Sequence, residues 1–231
     1  MIVKSTDEKI NPAPVVTRAN EAGHSIIETL MVLTVAAIIT SVAVPQMLSA
    51  RRLLRSSSMA REIASQLRFA RQQAMTQRQA MTFQYDNSTK SVKIFDHNNS
   101  NNANSGCNMT GLAVLTASGY PNTVCTSLVA TIPLATGATA SELTYGIPSA
   151  ITNTTLDDGN TLTALSGSGL VNITFQADGT VQDNLGNYST ASLFFYNSQV
   201  PTQTASAISI LGAAGRIKVW RYSTSASKFA E

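Results

Sequence analysis

The chain has 231 residues and a formal net charge of +3 at pH 7. This length leaves room for one soluble domain of ordinary size beside a leader and an anchor. The abundance of Ser, Thr, Asn and Gly is typical of an exported β-rich domain and argues against a cytosolic enzyme. The charge is uneven, because arginines crowd residues 51–78 and no Lys or Arg occurs between residues 94 and 215.

An apolar run follows a short N-terminal segment. Residues 1–23 carry mixed charges and two prolines, so we interpret them as a leader outside the fold. The roughly 20 residues between His24 and Pro45 form about 30 Å of helix, enough to cross a bilayer. Glu28 is the only ionisable side chain among them. A carboxylate there costs about 2.5 kcal/mol or more, which indicates a functional position.

This N-terminal pattern resembles a known signature. Gly23, Ser25, two isoleucines, Glu28, an apolar stretch and Pro45 are similar to the start of type IV pilins and type II secretion pseudopilins. The resemblance implies that a prepilin peptidase cuts after Gly23 and that the new amino group of His24 is methylated, although the family usually has Phe there. It also implies that Glu28 pairs with the terminal amine of a neighbouring subunit.

The same resemblance implies a location and partners. The chain would cross the inner membrane once, with the leader in the cytoplasm and the β-rich domain in the periplasm, before it joins other pilins or pseudopilins through its N-terminal helix. It would then lie in a pilus or pseudopilus, at the tip.

Two alternatives to this signature remain open. Glu28 is also compatible with a chance polar residue in an ordinary anchor. The apolar run also resembles a secretory signal, with a small-residue cleavage site at residues 41–43, although the run is long for such a signal.

Helical periodicity continues after Pro45. Apolar residues recur at spacings of three and four between Leu48 and Ala74, which predicts one helix over about residues 25–76, kinked near Pro45. Seven arginines fall mainly on its other faces, where they would contact anionic headgroups or neighbouring subunits: Arg51, Arg52, Arg55, Arg61, Arg68, Arg71 and Arg78.

Alternation and turn signals predict strands after the helix. A hairpin is expected from residues 81–85 and 92–95 around the turn at 86–89. Further strands are expected at the following ranges, with turns at 177–180 and 212–215 and weak signals over 135–169: 112–116, 128–132, 171–175, 192–196, 208–211 and 216–222.

The helix segment 64–74 and the strand 81–85 after it resemble FimT/GspH-type minor pilins, as do the Phe175, Asp178, Gly179 pattern and the final Gly215-Arg216-x-Lys218 hairpin, whereas residues 98–169 carry no motif that we can match to that family. The expected fold class is α+β: a long N-terminal transmembrane and amphipathic helix packed on a C-terminal, antiparallel, two-sheet β-rich domain. The expected divisions are a cleaved leader (1–23), a transmembrane part (24–45), an amphipathic part (46–79) and the β-rich domain (80–231).

The two cysteines, Cys107 and Cys125, lie in a polar, Asn-rich region. In an exported domain we expect them to form a disulfide, which would stabilise the fold by about 3 kcal/mol. Two free thiols are the alternative. A metal site would have too few ligands.

Residues for catalysis are scarce. His24 and His97 have no nucleophile or metal partner by spacing. The acidic segment 157–160 lacks the spaced ligands of a calcium loop and is better explained as a plain turn. We therefore expect no enzyme activity, cofactor or metal.

The C-terminal strand carries a basic motif. In some FimT-type minor pilins a Gly-Arg-x-Arg motif binds extracellular DNA, and here Arg216 and Lys218 follow Gly215, with Arg221 beyond. Alternation places Arg216, Lys218 and Trp220 on one face of the strand, where the cations would hold phosphates and Trp220 would stack on a base. The alternative is a solvated edge strand whose charges prevent aggregation.

Overall fold

A computed structural model describes residues 25–97, 127–183 and 186–231. The chain divides into two compact units, Met1–Pro45 and Gln46–Glu231. In the described part of the first unit, residues 26–45 are helical and their apolar side chains are exposed. The hydroxyls of Thr34 and Thr40 donate to the carbonyls of Leu30 at 2.8 Å and Ala36 at 2.7 Å. These hydroxyls therefore need no partner outside their own helix.

The long helix has the length that the periodicity predicts. Helix α1 spans Ile26–Gln77 and includes Pro45. After α1 the described residues form nine strands and two short helices: β1 (Met81–Asp86), β2 (Ser91–Asp96), β3 (Ser127–Pro133), α2 (Ala138–Glu142), β4 (Leu143–Tyr145), β5 (Leu170–Phe175), β6 (Ala191–Asn197), α3 (Pro201–Thr204), β7 (Ser206–Leu211), β8 (Arg216–Ser223) and β9 (Lys228–Ala230).

The strands of the second unit, which we call the folded unit (residues 46–231), form two antiparallel sheets. The first has the order β3-β2-β1-β5, and the second has the order β4-β6-β7-β8-β9. The predicted hairpin is confirmed, since Met81 pairs with Asp96 and Tyr85 with Val92. The predicted α+β class with a two-sheet domain is likewise confirmed.

The main core lies between the two sheets and the second half of α1. The helix contributes a buried stripe that includes Met59, Ile63 and Leu67, followed by Ala70 and Ala74. Small side chains at the last two positions allow the helix to approach the sheets closely. The apolar residues of this stripe recur with the period of an α-helix, so they form one buried face. The arginines lie mainly on the other faces and do not prevent the helix from packing.

Three aromatic rings join the sheets inside this core. The ring centroid of Tyr85, on the first sheet, lies 5.4 Å from that of Tyr145 and 5.0 Å from that of Phe195, both on the second sheet. Such pairs contribute about 0.5–1.5 kcal/mol beyond their buried area. The Tyr145 hydroxyl donates to the carbonyl of Thr163 at 2.6 Å, which also holds the long connection between β4 and β5.

The second sheet is covered on both faces. Its outer face carries Phe194, Trp220 and Phe229, which pack with Ile151 and Leu156 of the connection between β4 and β5. Asp158 accepts a hydrogen bond from Ser209 at 2.5 Å, and Ser209 in turn accepts one from the Trp220 indole at 2.8 Å. The acidic segment 157–160 is thus a turn that attaches this connection to the sheet.

Several elements differ from the sequence expectations or lie beyond the described residues. Helices α2 and α3 and strands β4 and β9 were not predicted. The predicted strand at 112–116 lies outside the described residues. The kink at Pro45 stays a prediction.

Candidate functional site

The first candidate functional position, Glu28, lies in the first turn of α1. Its neighbour Thr29 donates its hydroxyl to the carbonyl of Ile26 at 3.0 Å. No Lys or Arg occurs in the sequence between Arg18 and Arg51, so Glu28 has no basic residue near it along the chain. Gly23 and His24 lie outside the described residues.

The second candidate is the basic hairpin formed by β7, β8 and the turn at residues 212–215. The turn closes with hydrogen bonds from Ala214 to Leu211 at 3.2 Å and from Gly215 to Gly212 at 3.3 Å. Gly215 has a φ of 57°, in the left-handed region that favours glycine. The prediction of a tight turn here is confirmed.

Arg71 of α1 fastens this turn to the rest of the folded unit. Its guanidinium donates to the carbonyl of Gly179 at 3.1 Å and to that of Ala214 at 3.0 Å. One side chain therefore joins the helix to the turn after β5 and to the turn before β8. Sequence reasoning missed this role; the only signal was that Arg71 adjoins the apolar stripe at Ala70.

The basic residues of β8 occupy different environments. Arg216 is exposed, and no described carboxylate forms an ion pair with it. Lys218 donates to Glu231 at 2.6 Å and lies 4.8 Å from the centroid of the Trp220 ring. Glu231 therefore neutralises Lys218 locally, a contact that the sequence alone did not indicate.

The predicted base-stacking role of Trp220 is contradicted by its burial. The side chain is 3% exposed, its indole nitrogen donates to Ser209, and Lys218 covers the ring. Alternation along β8 was predicted correctly, but the face that carries Trp220 is covered by Ile151 and Leu156 of the connection between β4 and β5. Trp220 is thus a core residue and offers no free ring face to a base.

Arg221 lies on the opposite side of β8 from Lys218, as alternation predicts. It is exposed and lines an open groove of about 360 Å³ together with Leu54 of α1 and Tyr222. The three basic residues of β8 therefore do not form a single cluster. Arg216 and Lys218 lie on one face of the strand, and Arg221 lies on the other face, beside the groove.

Comparison with known families decides the class of the protein. The model of one family, described as type II transport protein GspH, matches residues 59–213, about two thirds of the chain. The chain belongs to the GspH family.

Solved structures similar to this GspH-family chain include two crystal structures of the type IV minor pilin FimU from Pseudomonas aeruginosa strain PAO1. One is 19% identical with a TM-score of 0.40 and covers 76% of this chain and 92% of that chain. The other is 20% identical with a TM-score of 0.39 and covers 76% of this chain and 97% of that chain. No curated protein sequence matches.

The remaining predicted site residues of this GspH-family protein either lie outside the described residues or make contacts within the fold. Cys107 and Cys125 lie outside the described residues, so the disulfide stays a prediction. The described residues contain no group of three His, Cys, Asp or Glu side chains that would hold a metal ion. Asp157 instead forms an ion pair with Lys228 at 3.5 Å.

His97 is a buried member of a polar cluster on the first sheet. Its Nε2 lies 2.6 Å from the hydroxyl of Thr82, which lies 2.7 Å from the hydroxyl of Thr174. The residue is 2% exposed, and burial lowers the pKa of His97 to about 4. The folded protein therefore holds this imidazole neutral.

The burial of His97 predicts a pH-dependent stability. The imidazole of His97 is protonated below about pH 6.5 in the unfolded chain but only below about pH 4 in the folded chain. The free energy of unfolding therefore falls across this window as the pH decreases. The expected loss is about 3 kcal/mol between pH 7.5 and pH 4. Urea unfolding followed by the fluorescence of Trp220, the only tryptophan, measures it.

The matched control is His97→Gln, which removes the titrating group, so its stability should change much less over the same window. Burial alone would raise the pKa of Asp86, but hydrogen bonds from Ser88, Lys93 and Thr89 lower it far below its usual range, so the stability that Asp86 contributes is lost mainly below about pH 4, under the window in which His97 titrates. An equal pH dependence in both proteins would refute the assignment.

Proposed function

We propose that this GspH-family protein is a minor pilin or pseudopilin, a subunit that assembles into or primes a type IV pilus or a type II secretion pseudopilus. The observation that carries the proposal is Glu28 in the first turn of α1, the lone carboxylate in an apolar stretch, residues 26–50, that contains no Lys or Arg. A charge in lipid needs a counter-ion, and a neighbouring subunit's terminal amine supplies one at the same depth. Its work is assembly rather than chemistry.

The proposal includes processing and location. A prepilin peptidase cleaves after Gly23, and the amino group of His24 is methylated. Before assembly the protein crosses the inner membrane once, with the β-rich domain in the periplasm; afterwards it lies in the filament, at the tip. Helix α1 supports this proposal, because its first part is exposed, apolar and long enough to cross a bilayer.

Amino-terminal sequencing of the mature protein tests the proposal. We expect the protein to begin at His24, with a methylated amino group. A product that begins at Val44 would mark a secretory signal, and an uncleaved product would mark an ordinary anchor; either result would refute the proposal, because Glu28 then has no terminal amine as its partner.

A second candidate function on the same scaffold is binding of extracellular DNA for uptake. The observation that favours it is the exposure of Arg216 at the tip of the basic hairpin. Strand β9 pairs only with residues 221–223 of β8, and no described strand pairs with the outer side of residues 216–220. An open edge with a free guanidinium suits phosphate contacts. The same charges also protect an edge from aggregation, which is the alternative explanation.

Gel-shift titration separates these explanations. If the hairpin binds DNA, Arg216→Ala should weaken binding about fivefold or more, because a phosphate contact is lost. Glu231→Gln should strengthen it, since Lys218 then loses its partner at 2.6 Å. Arg68→Ala, an exposed arginine of α1, is the matched control. Equal retardation by the native protein, Arg216→Ala and Glu231→Gln would eliminate a DNA site here.

A further inference from the structure

We propose that the folded unit carries a binding site for the headgroup of an anionic phospholipid, in the groove beside the first turns of α1 after Pro45. The groove has a volume of about 460 Å³. Its lining includes Leu48, Arg51 and Arg55 on α1, with Leu54 beside them and Glu142 of α2 opposite. This proposal rests on the membrane anchoring in the proposed function, but not on assembly into a filament.

The charge of this groove is unbalanced. Arg51 and Arg55 are both exposed and lie four residues apart on one helix face, where like charges repel each other. The carboxylate that lines the groove, Glu142, already accepts hydrogen bonds from Arg52 at 3.2 Å and from Asn197 at 2.9 Å. No described carboxylate forms an ion pair with Arg51 or Arg55. The groove therefore suits an anion.

The chemistry of the lining favours a phosphodiester that carries an apolar part. A guanidinium binds two phosphate oxygens at once through its planar fork. Leu54 is 70% exposed and Leu48 is 48% exposed, so apolar surface lies directly beside the arginines. A free phosphate would leave these leucines uncovered, whereas a phospholipid covers both the charged and the apolar part.

The position of the arginines along α1 fits a lipid. Arg51 and Arg55 follow Pro45 by six and ten residues in the same helix, which corresponds to about 9 and 15 Å of rise. The headgroup layer extends about 5–8 Å beyond the hydrocarbon core on each side, and long arginine side chains reach back toward it. Basic residues this close to a span attract anionic headgroups.

The test uses the full-length protein reconstituted in phosphatidylcholine vesicles with a small fraction of pyrene-labelled phosphatidylglycerol or pyrene-labelled phosphatidylcholine. Energy transfer from Trp220, the only tryptophan, reports which labelled lipid gathers around the protein. We expect phosphatidylglycerol to be enriched about five- to tenfold over phosphatidylcholine at low salt, and this enrichment should decrease in high salt.

The decisive variant is Arg51→Gln with Arg55→Gln. In this variant the enrichment of phosphatidylglycerol over phosphatidylcholine should fall to about twofold or less. The control is Arg61→Gln with Arg68→Gln, which removes the same charge from two exposed positions further along α1 and should retain the native preference. Gln keeps a high helix propensity, so both proteins should fold, and unchanged Trp220 emission verifies this.

Two results would overturn the proposal. The first is that the native protein shows no preference for phosphatidylglycerol; if the Arg51 and Arg55 variant then also fails to bind partner pilins, the groove binds acidic side chains of a neighbouring subunit instead. The second is that both double variants lose the preference equally, which would indicate an effect of diffuse charge. Failure to insert into vesicles at all would instead refute the membrane anchoring in the proposed function.

Discussion

Replacement of Gly215 by Ala should destabilise the folded unit by about 3 kcal/mol or more. A Cβ atom at this position would lie 1.9 Å from the carbonyl oxygen of Gly179 and 2.6 Å from Nε of Arg71. The first neighbour is backbone, so relief requires movement of a whole turn. The φ of 57° adds about 1–2 kcal/mol for a residue with a side chain.

The same substitution would displace Arg71 from the carbonyls of Gly179 and Ala214, so the contact between α1 and both turns is lost together with the steric fit. Urea unfolding followed by Trp220 fluorescence measures the change. Gly167→Ala is the matched control, because its φ is not left-handed and no heavy atom lies within 4 Å of the added Cβ. The control should be neutral or slightly stabilised. If both variants unfold at the same urea concentration, the close approach of the turns is refuted.

The sequence predicted the parts of the fold whose signals are local. The long helix and the hairpins follow from apolar periods of 3.6 and 2 and from turn residues, and these require no knowledge of distant partners. Strand β4 has three residues, and its position depends on Tyr145 packing against Tyr85 and Phe195. Strand β9 is equally short and depends on Phe229 packing against Phe194. Three residues are too few to show the alternation of apolar and polar side chains by which a strand is recognised in a sequence.

The candidate sites show the same division. Alternation correctly placed Lys218 and Trp220 on one face of β8, but alternation does not tell whether another layer covers that face. Here the connection that contains Leu156 covers it, through Asp158 and Ser209. Burial of Trp220 and the role of Arg71 both depend on contacts between residues far apart in sequence, so neither was predictable. The prediction at Glu28, by contrast, rests on its apolar surroundings along the sequence, a local signal that requires no knowledge of distant contacts.

The second large effect is expected at Glu28, where Glu28→Gln should reduce incorporation into filaments at least about tenfold. The substitution keeps the shape of the side chain and removes the charge that the proposed ion pair with a neighbour's terminal amine requires. A carboxylate in lipid costs about 2.5 kcal/mol or more, so the native protein gains by pairing it and the variant does not. Immunoblots of sheared filaments against membrane fractions measure incorporation.

The matched control for this prediction is Thr29→Val, one residue along the helix. Its hydroxyl donates to carbonyls of its own helix, to Ser25 at 3.2 Å and to Ile26 at 3.0 Å, so its loss leaves nothing on a neighbour unpaired. We expect Thr29→Val to enter filaments as the native protein does, and Trp220 emission should be unchanged in both variants because the folded unit lies outside this segment. If Glu28→Gln is incorporated as efficiently as Thr29→Val, the charge of Glu28 does not drive assembly, and its presence in an apolar helix needs another cause.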